Sequence, residues 1–234
     1  MMFSKAYRKI FCSAILLLLA GCATVPKAPQ FFRPGVQLET LTAAVSVSVK
    51  TPTGGTGGNG YLAYRKPDRL RLVMLTPFGT TALEFCTEGD RATLAIPSKD
   101  VAYVGAVADL PEGNGMQVWR LMSWAVEADP LYDPALPGTV ARSDAGGGRY
   151  LAYYGDDGLL ERKVTEEGDT VHYRDYQSID GAPLPSVMEF SDTRGVRVKV
   201  TLKEPEINQP LEDAAFSPHL EGLSITPLSQ FRGM

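Results

Sequence analysis

Histidine and cysteine are scarce in this chain. His172 and His219 are the only histidines, and Cys12, Cys22 and Cys86 the only cysteines, among 234 residues. Neither histidine stands at a metal-ligand spacing or in a nucleophile–base pattern, so zinc chemistry and triad catalysis find no support. Asp156 and Asp157 are adjacent in a turn sequence, which suits a turn better than acid–base work. No enzyme activity, cofactor or metal is expected. A basic run is missing as well. Lys and Arg number 23 against 27 Asp and Glu, a formal charge of −4, and an acidic chain is a poor ligand for nucleic acid. No apolar stretch is long enough to span a bilayer as a helix. Gly55, Gly57 and Gly60 fit a loose Gly-x-Gly-x-x-Gly pattern, but a strand follows where a dinucleotide site needs a helix. Residues 53–60 therefore read as a mobile hairpin loop.

What is present at the N-terminus is a secretion signal. Lys5, Arg8 and Lys9 precede an apolar run from Ile10 to Ala20, which closes in Leu19-Ala20-Gly21-Cys22. Small residues before a cysteine suit the peptidase that cuts lipidated precursors. Residues 1–21 are thus read as a lipoprotein signal peptide, with Cys22 the lipidated first residue of the mature protein. Loss of three positive charges takes the formal charge from −4 to −7. Residues 22–36 contain Pro26, Pro29 and Pro34 and read as a lipidated tether. Ala23, rather than Asp, follows the cysteine; in enteric-type sorting this directs a lipoprotein to the outer membrane. Cys86 is then the one free thiol, so no intramolecular disulfide is possible, and it reads as a small core residue.

From residue 37 the pattern is short alternating segments separated by turn residues, which argues antiparallel strands. Val45, Val47 and Val49 alternate with serines; strands are expected at 61–65, 69–76, 80–87, 91–96 and 100–104. After a break, further strands fall at 149–154, 158–166, 169–179, 184–191 and 196–203, making about 11 in all. Between the two sets, residues 114–126 read as a helix. Gln117, Arg120, Ser123 and Glu127 form a narrow polar stripe, and Met116, Val118, Trp119, Leu121, Met122 and Trp124 fill a wide apolar face. A sheet of so many strands must curl or fold over, and this helix could lie across its concave side. Residues 211–216 suggest one helical turn.

Asp68-Arg-Leu-Arg-Leu72, then Leu75-Thr-Pro-Phe-Gly-Thr-Thr-Ala-Leu-Glu-Phe85, resemble the core of the LolB family of outer-membrane lipoprotein receptors. Ala182-Pro-Leu-Pro-Ser-Val-Met-Glu-Phe-Ser-Asp192 with Val196-Arg-Val-Lys-Val200 resembles that family's late hairpin. The resemblance covers roughly residues 42–203, with gaps. It departs from the family pattern after Trp124, where a Gly-Leu-Pro-Gly-like segment is absent, and in a longer tail. It implies a mainly β fold: a half-open, strongly curved antiparallel barrel with a helical lid over an apolar cavity, spanning residues 37–204. Residues 205–234 are expected to be a C-terminal extension packing on that domain.

The same resemblance implies a function. The protein would accept lipoproteins from a LolA-like periplasmic carrier and place their acyl chains in the outer membrane, acting as a monomer anchored on the periplasmic face through Cys22. The apolar residue of the Pro-x-Gly turn, here Phe78, is expected to meet the membrane. Candidate cavity residues are Leu72, Met74, Leu83, Phe85, Leu94, Trp119, Met122, Trp124, Met188, Phe190, Val198 and Val200. Two other readings use the same scaffold: a lipid-binding lipoprotein with different cargo, and a structural or assembly lipoprotein with a protein partner. Arg69 and Arg71 share a strand face and are expected to solvate it.

Overall fold

The computed structural model describes residues 30–110, 132–133, 135, 138–143 and 148–232. The expected signal peptide, Cys22 and the expected helix at 114–126 lie outside these residues. The chain divides after Gln30, and the unit beginning at Phe31 carries every strand described and the whole apolar cluster, so it holds what it needs to fold alone.

Among the described residues, thirteen strands form one open sheet. The first six are β1 (Thr40–Thr51), β2 (Gly54–Arg65), β3 (Arg69–Leu75), β4 (Thr81–Glu88), β5 (Arg91–Ile96) and β6 (Val101–Ala106). Then come β7 (Gly138–Ser143), β8 (Arg149–Tyr154), β9 (Leu160–Thr165), β10 (Thr170–Ile179), β11 (Ala182–Ser191), β12 (Arg197–Ile207) and β13 (Ser224–Pro227). The spatial order is β13-β6-β5-β4-β3-β2-β1-β12-β11-β10-β9-β8-β7, so β1 and β12 join two meanders of hairpins. Every pair is antiparallel except β13, which lies parallel to the edge strand β6. The edges β13 and β7 do not pair with each other, and the sheet is not closed.

The mainly β reading holds, with two strands more than expected. β13 was missed because four residues, Ser224-Ile-Thr-Pro227, are too few to display a period. β7 was missed because it lies in the proline-rich stretch, where Thr139-Val-Ala-Arg-Ser143 alternates only weakly. The expected loop at 53–60 is also corrected. Only Pro52 and Thr53 turn the chain, and the glycines form the first half of β2, paired with β1 from Thr51↔Gly54 to Val45↔Gly60. Glycine is there because the backbones crowd. A Cβ on Gly57 would sit 2.6 Å from the Val47 carbonyl, and one on Gly60 would overlap that of Val73.

Alternation fixes the two faces. Leu41, Ala43, Val45 and Val47 of β1 point inward with Leu62 and Tyr64 of β2 and Leu70 and Leu72 of β3. These residues and their counterparts on β4, β5 and β8–β12 form one apolar cluster.

The C-terminal segment leaves β12 and crosses the opposite, outer face. The Arg65 guanidinium donates to the Leu211 carbonyl at 2.8 Å, and that of Arg71 to the Ala215 carbonyl at 3.2 Å. After β13 the chain delivers Leu228 and Phe231 to the apolar cluster, with the Phe231 ring 5.0 Å from that of Tyr103. Asp213–Phe216 is one 3-10 turn, where a helical turn was expected at 211–216.

Candidate functional site

Eight of the twelve candidate cavity residues lie in the apolar cluster, and they meet in register. Leu72 is opposite Phe85, Phe85 opposite Leu94, Met188 opposite Val200, and Phe190 opposite Val198. Leu83 also belongs to the cluster; its partner Met74 is half-buried and packs against it. Val200 and Val198 continue to Val47 and Val49 on β1, while Leu72 reaches β1 through Leu62 opposite Ala43, and both stretches belong to one cluster. Trp119, Met122 and Trp124 lie outside the described residues.

The sequence reading missed other members of this face. Leu62, Tyr64, Tyr150, Tyr154, Val171 and Tyr173 share the cluster, each in a segment whose alternation was already legible, and Leu41 joins them from the start of β1, ahead of the expected valines. Lys163 carried no signal. It is 1% exposed on β9, and its ammonium lies 5.4 Å from the Tyr150 ring and 5.9 Å from the Tyr173 ring.

Phe78 stands apart from the cluster, at the tip of the β3–β4 hairpin and 94% exposed. The turn is closed beneath it. Thr76 N–H donates to the Thr80 carbonyl at 2.8 Å, Gly79 N–H to the Thr76 carbonyl at 3.0 Å, and the Thr76 and Thr80 hydroxyls lie 2.8 Å apart. Gly79 has φ +82°, a left-handed conformation that glycine adopts freely, and the β3–β4 register shifts beside it. The turn therefore holds the ring out in water, where an apolar side chain gains nothing. A ring folded back onto the sheet is ruled out by its exposure.

The outer face near this hairpin is polar and covered. Arg71 Nε donates to Glu84 Oε1 at 2.7 Å, and its other end lies 3.0 Å from His219 Nδ1. Arg69 pairs with Glu88 and with Asp213, the latter at 2.7 Å, and Arg65 also pairs with Asp213. Hydrogen bonding to Arg65 and the nearby Arg69 charge hold the Asp213 carboxyl below the usual carboxylate range. Arg69 and Arg71, expected to solvate this face, instead bind the C-terminal segment across it. Cys86 lies on this side, outside the apolar cluster, and is buried. Burial first, and the Glu84 charge second, push its thiol up to about 12.

The remaining candidates have structural partners. Asp157 Oδ1 accepts the Leu159 N–H at 3.0 Å in a turn. His172 lies on β10, where burial and then the Arg174 and Arg162 charges lower its pKa. Among the described residues, no group of His, Cys, Asp and Glu side chains could hold a metal, and no helix is long and apolar enough to cross a membrane.

The fold is similar to that of a solved structure, at low sequence identity. A DUF1329 family protein from Desulfovibrio piger superposes with a TM-score of 0.57 at 12% identity, over 77% of this chain and 90% of that one. A LolA superfamily protein from Nitrosomonas europaea gives 0.49 at 12% identity, over 80% and 93%. A putative outer membrane lipoprotein-sorting protein domain from Vibrio parahaemolyticus gives 0.48 at 11% identity, over 76% and 89%. No curated protein matches. The family model described as Outer membrane lipoprotein LolB matches residues 40–204, from the start of β1 to near the end of β12, and the chain belongs to that family.

Proposed function

We propose that this protein accepts lipoproteins from a LolA-like periplasmic carrier and inserts their acyl chains into the outer membrane, to which Cys22 anchors it. Phe78 is the observation that carries this reading. A ring held fully in water by a closed turn has a use only where an apolar phase comes to meet it. On the same sheet, the buried band from Leu94 through Phe85 and Leu72 to Val200 and Met188 is the apolar lining against which acyl chains would pack. Each methylene removed from water is worth roughly 0.8 kcal/mol, so several chains together leave for water extremely slowly. Handover must run from one apolar environment to the next. It needs no nucleotide if the final membrane is the most stable place.

The test mixes residues 31–234 with carrier holding a labelled lipoprotein, then adds liposomes. Label should move to this protein and on to the liposomes. Phe78→Glu should keep the first step and lose the second, while its thermal stability stays within about 0.5 kcal/mol of wild type, because the ring packs on nothing. Binding of free lipid without uptake from the carrier would instead favour a lipid-binding lipoprotein with other cargo.

A further inference from the structure

One side of the outer face gathers positive charge against the acidic trend of the chain. The register builds the band strand by strand. Arg162 on β9 is opposite His172 on β10, His172 opposite Glu189 on β11, Glu189 opposite Lys199 on β12, and Lys199 opposite Ser48 on β1. Arg174 follows two residues after His172, and Arg197 pairs with Lys50 two residues along from Lys199. Period-two alternation keeps these on one face, away from Val171, Phe190 and Val198. Five cations thus share one carboxylate, in a chain of net charge −4.

Glu189 is already shared. Arg174 reaches it at 3.4 Å and Lys199 at 3.6 Å. Among the described residues, Lys50 and Arg197 have no acidic partner, and both are exposed. A groove of about 410 Å³ runs beside them, lined by Ser48, Lys50, His172, Glu189, Arg197 and Lys199.

The band ends where Phe78 projects. Lys50↔Arg197 is the last pair before the β1–β2 turn at Pro52–Thr53, and the β11–β12 turn caps the same end. Following the antiparallel register through β2 and β3, the β3–β4 turn emerges at this end too. The acidic residues there are Glu166, Glu167 and Asp169 of the β9–β10 turn, with Glu166 paired with Arg149 at 2.7 Å, and Asp192 of the β11–β12 turn, paired with Arg194 at 3.3 Å. The cations next to an exposed apolar ring are therefore on the β12–β1 side. An acidic protein would satisfy the charge alone. A bilayer with anionic headgroups satisfies both features, the phosphates meeting the cations and the hydrocarbon the ring.

We propose that Lys50, Arg197 and Lys199 bind the phosphates of anionic lipids, turning the β12–β1 side of the sheet toward the membrane that Phe78 enters. This rests on the membrane reading of Phe78.

Co-sedimentation of residues 31–234 tests it, with vesicles of phosphatidylcholine alone or with about 30 mol% phosphatidylglycerol. Wild type should prefer the anionic vesicles and lose that preference near 0.5 M salt. At roughly fivefold per cation at the surface, Lys50→Gln/Arg197→Gln/Lys199→Gln should lose about 100-fold on anionic vesicles and little on neutral ones. Phe78→Ser should weaken binding to both. Should the triple variant fold poorly, Lys50→Gln and Lys199→Gln singly should each lose roughly fivefold. Wild-type affinity of the charge variants for anionic vesicles overturns the band as a lipid site, whatever Phe78→Ser does. Loss in the charge variants with Phe78→Ser unaffected keeps the lipid site and sinks the Phe78 reading.

Discussion

Arg71 and Glu84 pair diagonally across β3 and β4 at 2.7 Å, with Glu84 only 3% exposed and the C-terminal segment laid over both. Glu84 accepts from Arg71 with one oxygen, and its other oxygen lies 3.3 Å from the His219 backbone nitrogen. The pair therefore ties together two neighbouring strands and the tail. Arg71→Ala leaves a buried carboxylate without its counter-charge. It should cost about 3 kcal/mol in urea unfolding, toward the low end for a broken buried pair because Arg71 keeps some solvent contact. Replacing both with Met and Leu should cost clearly less than Arg71→Ala, since no charge is then stranded.

Asp213 holds the start of the same segment through Arg65 and Arg69. Its carboxyl is depressed in the folded state, so its contribution is full above the unfolded value of 3.8 and is lost as pH falls through the lower folded value. Amide exchange at residues 211–217 should quicken in acid below pH 3.8 relative to exchange in β1. Asp213→Asn should show the faster exchange at neutral pH already.

Cys86 should be inert. A thiol raised to about 12 carries almost no thiolate at pH 8, and burial blocks access as well. Iodoacetamide should label it only after denaturation. The unfolded thiol ionises near 9.0 while the folded one stays neutral, so this group's contribution to stability is complete below pH 9 and declines as pH rises toward 12. Cys86→Ala should remove that alkaline decline.

Two glycines of β2 should respond differently to alanine. A Cβ on Gly60 runs into the Val73 backbone carbonyl, which cannot move without parting β2 from β3. Gly60→Ala should destabilise by about 1–3 kcal/mol, the range for an overpacked site. A Cβ on Gly58 meets the flexible end of Met74 at 3.3 Å, so Gly58→Ala should change the unfolding midpoint little.

The β layout was legible where alternation was strong and turn residues punctuated it. β5 and β8 fall where their periods predict, and β3 and β4 within a residue. Composition misled at 53–60, because glycine usually marks a loop. Here it marks a close approach between backbones, which only the partner strands reveal. Lys163 was invisible because one lysine in an alternating strand reads as solvent-facing; its burial beside the rings of Tyr150 and Tyr173 depends on strands that meet only in the fold.

The sequence by itself determined the period of each strand, hence which residues share a face, because alternation is a local property of the backbone. It also placed Phe78 between Pro77 and Gly79, where a turn had to form. Tertiary structure decided what distant segments meet. It laid the tail over Arg65, Arg69 and Arg71, and it aligned Arg162, His172, Glu189 and Lys199 in one row, because register between strands depends on pairing across the whole sheet. It also decided that Phe78 points into water rather than back onto the sheet, since a closed two-sided turn fixes the direction of its tip.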